Sequence, residues 1–359
     1  MSALEGLKVV EFGEGVALGY CGALLAACGA EVPFAEGVAA PEASGLHAFL
    51  STGKSSVAID LNNLDGVALA RRLALEADLV LDGMGPGKAD AVGLGYDALH
   101  AQAPKMTMLA LSWFGGDGPR RDWQGSDAIA QALAGFIYPI GQKDGPPVIP
   151  GGYFAQITGG LTAFIATMGA LVGGLSGDEG VLIEQSILEA QTTYTESAGV
   201  RFAYDGAASV RKGVNIFTPT YPQSIYPAAD GCCELIGAPE LFDDPRFITS
   251  RLRNDRADEL DPLLIPLFRK RTALEWFHEA QARRVPFALV PTMADLADLD
   301  HFQAREVLAE YQHPDLGRFT AATIPWKLAA TPLAKGGSAP RLGQHSREIL
   351  AGRLGLDAD

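Results

Sequence analysis

Short β-branched apolar runs alternate along this chain with longer stretches whose apolar residues recur at helical spacing. Residues 7–12 (LKVVEF) form one such run, turn through Gly13, Glu14 and Gly15, and pass into VALGYCGALLAACGAEV, which predicts a small-residue helix and a second strand. The pattern repeats in a turn and strand at residues 52–61 (TGKSSVAIDL) and in an amphipathic helix over 65–76. Asp65 stands there where a helix dipole favours a carboxylate. A buried strand follows at 106–112 (MTMLALS), and a short apolar strand beginning at Val181 runs into a helix. Strands that alternate with helices predict an α/β fold with a parallel, doubly wound sheet, because parallel neighbours need a crossover and the helix supplies it.

Two stretches break the rhythm. No charge falls between Gly151 and Ser176, where a Gly-rich approach leads into a small-residue helix expected to be buried on every side. Residues 177–180 then read as a turn. After Ala198 the chain becomes polar, and residues 201–222 form a Gly/Pro-bearing connector that marks a domain boundary. Beyond it, residues 221–237 read as hairpin strands around Asp230 and Gly231, and helices follow.

With 359 residues, 48% of them hydrophobic, the chain has room for two domains and a large core. Its net charge of −15 argues against nucleic acid or an anionic membrane as a partner, since both demand Lys and Arg. A polyanionic ligand would need a local basic pocket. Cys21, Cys28, Cys232 and Cys233 show no metal-site spacing and read as reduced cytosolic core residues; the scattered histidines read as structural, so no metal is expected. No basic and apolar leader opens the chain and no uncharged apolar run looks long and dense enough to span a membrane, so a cytoplasmic location is expected. The turn at residues 13–15 lacks the G-x-G-x-x-G spacing of a dinucleotide site.

Residues 151–190 (GGYFAQITGGLTAFIATMGALVGGLSGDEGVLIEQSILEA) resemble the active-site segment of the class III CoA-transferases, the CaiB/BaiF family, "ADLAAGLxAAxGILAAL…GxGxxVDVSLLEA". Near the N-terminus the family's "xVxExxxxxAGPYCGxLLAxLGAEVIKIE" is matched at Glu11, Tyr20, Cys21, Gly22, Leu24, Leu25, Gly29, Ala30, Glu31, Val32 and Glu36. Residues 77–99 are similar to "ADVLVENFRPGVLDRLGLGYExL", and GSDAIAQALAGF (125–136) to "GYDLxxQAxSGL". The likeness continues through residues 271–290 to 343–350, nearly the whole chain, although the chain is short of a family helix between Ile236 and Pro239. It implies a large Rossmann-like domain over 1–200, a linker over 201–221, a smaller α+β domain over 222–318 and a return to the large domain over 319–359, in an interlocked dimer.

In that family the Asp of "ADLAAGL" attacks an acyl-CoA thioester, forms a mixed anhydride and passes CoA to an acceptor acid through an enzyme-bound thioester. The matching residue here is Gln156, and a neutral amide is a far poorer nucleophile than a carboxylate. The likeness places coenzyme A, as substrate with no covalently bound cofactor, against Gly15, Val16, Ala17, Ile59, Gly83, Met84, Ala91, Val92 and Gln124. Several of the family's contacts are replaced: Gly37, Asn62, Gly83 and Ala91 stand where Arg, Lys, Asn and Arg are common. Three lost charge-assisted contacts at roughly 1.5 kcal/mol each amount to about 4.5 kcal/mol, on the order of a thousandfold in affinity. Glu14 is a newcomer in the first turn and a candidate displaced base or nucleophile. Three readings follow. The chain is a CoA-transferase-like protein acting on an acyl-CoA and a carboxylic acid with altered or impaired chemistry; or a silent subunit of a hetero-oligomeric CoA-transferase; or an acyl-CoA hydrolase or lyase using Glu14 or Tyr153.

Overall fold

The computed structural model describes residues 2–37, 44–174, 179–213, 225–227, 232–234, 244–282, 284 and 287–356. Contacts divide the chain into two units, one of Met1–Ile137, Ile149–Ala208 and Gln303–Asp359, the other of Tyr138–Val148 and Ser209–Phe302.

The first unit is built on six parallel strands: β1 (Val9–Gly13), β2 (Pro33–Glu36), β3 (Ser55–Ala58), β4 (Leu79–Gly83), β5 (Thr107–Ser112) and β6 (Leu182–Ser186), ordered β3-β2-β1-β4-β5-β6. The helices between them are α1 (Val16–Ala27), α2 (Gly45–Ser51), α3 (Leu64–Leu75), α4 (Lys88–Ala91), α5 (Tyr96–His100), α6 (Asp127–Leu133) and α7 (Phe154–Gly174); α8 (Ile187–Thr192) and α9 (Glu196–Asp205) follow β6. The expected doubly wound sheet is therefore present. Strand order reverses between β1 and β4, where Gly13 pairs with Gly83, so the crevice beyond their C-terminal ends is the place this topology offers a ligand.

A buried ion pair fixes the first strand to the first helix. Lys54 Nζ donates to Glu11 Oε2 at 2.7 Å and to the Gly19 carbonyl at 2.9 Å, all within the core. A Cβ at Gly22 would stand 2.2 Å from that carboxylate oxygen, so the helix can lie over the pair only with glycine there. Cys21 lies in the same core, and burial, with the Glu11 charge second, pushes its thiol up to about 12.

The helix α7 corrects two expectations. It runs 21 residues without a charge, mean hydropathy 1.5, and so is long and apolar enough to cross a membrane by length and composition. Nor is it buried on every side. Ala155, Gly159, Gly160 and Ala163 face inward, and a Cβ at Gly160 would lie 2.5 Å from the Ala17 carbonyl of α1, whereas Ile165 and Val172 are 59% and 61% exposed. One face is thus a close-packed seam against α1 and the other an uncovered apolar stripe.

The chain returns to this unit at its end. β9 (Leu308–His313) pairs antiparallel with β10 (Gly317–Ala322) and parallel with β11 (Gly337–Ser338), and α14 (Ser346–Leu354) closes the unit. The exposed side of edge strand β3 is covered there: Ser56 N–H donates to His345 Nδ1 at 3.2 Å, Ala58 N–H to Ser346 Oγ at 3.0 Å, and His345 N–H to the Ser56 carbonyl at 3.0 Å.

In the second unit β7 (Ile225–Pro227) pairs antiparallel with β8 (Cys232–Glu234); the turn expected at Asp230 and Gly231 lies outside the described residues, as do residues 177–178 and 236–239. The helices α10 (Ser250–Asp255), α11 (Ala257–Phe268) and α12 (Ala273–Ala282) enclose a core of Phe247, Leu260, Leu264, Phe268 and Phe287, and α13 (Asp300–Arg305) follows. Tyr138 belongs here too, its carbonyl accepting from Arg211 Nη1 at 2.8 Å.

Candidate active site

Two helix starts in the first unit meet at one side chain. Helix α1 opens at Gly15, which has no side chain to cap it, and α7 opens at Phe154 after two glycines; both leave N–H groups without intrahelical partners. Asp127, the first residue of α6, supplies the missing acceptor for α7. Its Oδ1 accepts from Ala155 N–H at 2.8 Å and from Gln131 Nε2 at 3.1 Å, while Oδ2 accepts from Gln156 N–H at 3.3 Å and Gln156 Nε2 at 3.5 Å. Gln156 serves α1 in turn, its Oε1 accepting the Val16 N–H at 3.3 Å. The amide has one possible orientation, because Val16 offers only a donor and Asp127 only acceptors.

This junction forms one wall of a cavity of 520 Å³ lined by Trp113, Ser126, Asp127, Ile149, Tyr153 and Gln156 among others. Asp127 is the single carboxylate in its lining. The rest is aromatic, aliphatic, amide, hydroxyl or backbone, so the lining holds no cation to neutralise that acid.

The residues singled out from the sequence are placed unevenly. Gln156, Gly15 and Val16 come together at this junction. Gln124 is exposed and adjoins Gly125, a cavity residue. Gly83 and Met84 lie at the end of β4 beside Gly13, on the switch-point crevice. Ala17 and Ile59 are committed to core packing, with Met84 and Val92 packed against the second of those cores, while Ala91 is exposed. Glu14 is exposed and makes no hydrogen bond or ion pair among the described residues. Tyr153 lines the cavity with its ring half exposed.

Three residues that sequence reading passes over stand nearby. Besides Asp127, these are Lys88, whose Cε lies 4.0 Å from where a Gly85 Cβ would be, and Arg121, whose Nη2 lies 3.3 Å from the same point on Gly87. Among the described residues Lys88 is exposed without an acid partner, and Arg121 has an exposed contact with Asp122 at 3.3 Å. Two cations therefore flank the turn after β4 in a strongly acidic chain. Near the end of β4, just before that turn, Asp82 is buried, and burial raises its carboxyl to about 6, partly offset by the Met84 N–H that it accepts at 2.8 Å and reinforced by Asp90. Among the described residues no cluster of three His, Cys, Asp or Glu could hold a metal ion.

A profile of CoA-transferase family III matches residues 4–346. The chain belongs to this family. It is 33% identical to a succinyl-CoA–D-citramalate CoA-transferase of Chloroflexus aurantiacus, over 99% of this chain and 95% of that protein. A succinate–glutarate CoA-transferase of Agrobacterium fabrum is 25% identical over 97% of this chain and 95% of its own length. A crystal structure of a CaiB/BaiF family protein from Brucella suis superposes with a TM-score of 0.88 at 25% identity, covering 98% of this chain and 99% of that one. The class III fold expected from the sequence is thereby established, and other members of the family act on acyl-CoA thioesters and carboxylates.

Proposed function

We propose that this chain acts on an acyl-CoA and a carboxylic acid, with the family's chemistry altered at residue 156. The observation that carries the reading is Gln156 itself: an amide stands at the first turn of α7, on a cavity wall, locked between the Val16 N–H and Asp127. A locked amide can hold a thioester carbonyl through its remaining N–H, but it offers no anionic oxygen for an anhydride. Similarity to enzymes named for succinyl-CoA and for citramalate or glutarate supports a short dicarboxylic acid as one partner. Lys88 and Arg121 support CoA binding, because they offer positive charge beside the switch-point crevice that the replaced family residues do not.

We further propose a homodimer in the cytoplasm. The exposed stripe of α7, together with exposed Val200, Phe202 and Tyr204 of α9, is more apolar surface than a lone chain of this charge has reason to present. The reading as a silent subunit rests on the same amide and makes the opposite forecast. Native mass spectrometry of the chain alone, with and without succinyl-CoA, separates them. A homodimer carrying one succinyl-CoA per chain is expected. A chain that stays monomeric and ligand-free until a related chain is added would overturn the first reading in favour of the second.

A further inference from the structure

We propose that Asp127 is the nucleophile of this protein and that Gln156 has become its oxyanion donor, so that the two positions divide the work between them in a new way. The inference rests on the reading that an acyl-CoA enters the cavity.

Its first support is exclusion by chemistry. Acyl transfer through an anhydride needs an anionic oxygen beside the thioester carbonyl, and the cavity lining contains one carboxylate, Asp127. Glu14, the other acid near the first turn, is exposed and absent from that lining.

The second support is the unequal grip on the two carboxylate oxygens. Oδ1 is held at 2.8 and 3.1 Å, within ordinary hydrogen-bond lengths, by Ala155 N–H and Gln131 Nε2. The contacts to Oδ2 are 3.3 and 3.5 Å, at the long end of the range, from Gln156 N–H and Nε2. One oxygen therefore anchors the group to α7 while the other keeps lone-pair density for attack. No cation in the lining competes for it.

The third support is the orientation of Gln156. With Oε1 turned to Val16 N–H, Nε2 points towards Oδ2, and an amide nitrogen carries two hydrogens. The second is available to a carbonyl oxygen lying next to Oδ2, which is the place a thioester under attack would put its developing charge.

The step is balanced without a proton. Asp127 Oδ2 forms a bond to the thioester carbonyl carbon, the carbon–sulfur bond breaks, and CoA leaves as a thiolate with the electron pair. The thiolate attacks Cγ of Asp127, which releases the donor acid and leaves a thioester on the enzyme. The acceptor carboxylate attacks the same carbon and expels the thiolate, which then takes the acceptor acyl group and restores the carboxylate.

The test needs no variant to begin with. The wild-type chain is incubated with succinyl-CoA and with succinate carrying heavy oxygen in its carboxylates, then digested and mapped by mass spectrometry. Heavy oxygen is expected in the Asp127 side chain, and hydroxylamine added during turnover is expected to convert Asp127 to its hydroxamate. Asp127→Asn should bind succinyl-CoA within about twofold of wild type yet lose transfer by at least about a hundredfold. Succinyl-CoA bound with the label on Glu14 or another residue, or with no label anywhere, would overturn the proposal while leaving the underlying reading intact. A wild-type chain that binds no succinyl-CoA would overturn both. Labelling decides the matter even if Asp127→Asn folds poorly through loss of its contacts to α7.

Discussion

The acid at the floor of α1 and the acid at the mouth of α7 are both held away from bulk water, and they are held by opposite means. Glu11 faces an ammonium at 2.7 Å in a sealed core, whereas Asp127 faces only N–H donors and borders a cavity. A carboxylate tied to a buried cation is spent on structure: breaking the pair strands a charge, and the pair offers nothing to a ligand. One held by amides keeps one loosely engaged oxygen. Of the two devices only the second leaves an acid able to react, and it occurs beside the residue that has lost its own carboxylate.

The contrast can be broken most severely at Lys54. Lys54→Met should leave Glu11 unpaired in the core and lower the unfolding free energy by about 3–5 kcal/mol in chemical denaturation. A loss below about 1 kcal/mol would mean that the pair contributes little to the fold, and the two acids would then differ less than the distances suggest.

Asp82 sharpens the comparison as a buried acid with no cation beside it among the described residues. Its carboxyl rises from 3.8 to about 6 in the folded chain, so folding favours the protonated form. The associated stability is complete below pH 3.8, is lost as pH climbs through about 6, and stays lost above. Asp82→Asn should flatten that stretch of the stability–pH curve and add about 3 kcal/mol near neutral pH. An unchanged slope in pH-dependent thermal unfolding would remove Asp82 from the account.

The smallest expected effect concerns cations without buried partners. Replacing Lys88 and Arg121 together by Met should weaken CoA about tenfold, roughly 1.4 kcal/mol, and leave a pantetheine thioester untouched, as read by calorimetry. Equal weakening of both ligands would show that the pair does not meet the phosphates.

The sheet was legible in the sequence because the central strands β1 and β4 are short runs buried on both faces, and the crossovers carry a helical period of their own. The uncovered face of α7 was not, since a helix of small and apolar residues bears no polar stripe to separate inside from outside. Asp127 lies within the very stretch GSDAIAQALAGF that resembles the family, yet its partners Ala155 and Gln156 are 28 and 29 positions away, and no local spacing announces such bonds. Lys88 and Arg121 escaped for a related reason. Charges missing at family positions were sought at those positions, and the fold brings others to the turn after β4 from sites three residues downstream of Gly85 and beyond β5.

The cover over edge strand β3 has a consequence for how the chain comes into being. The acceptors for Ser56 and Ala58 lie 289 and 288 residues later, at His345 and Ser346, and emerge from the ribosome long after the strand they seal. Through most of synthesis the growing polypeptide has an open sheet margin, a stage at which chaperone attendance guards against pairing with a neighbour. Only His345 and Ser346 end that exposure, so a premature stop a few codons before His345 removes a seal from a strand made long before.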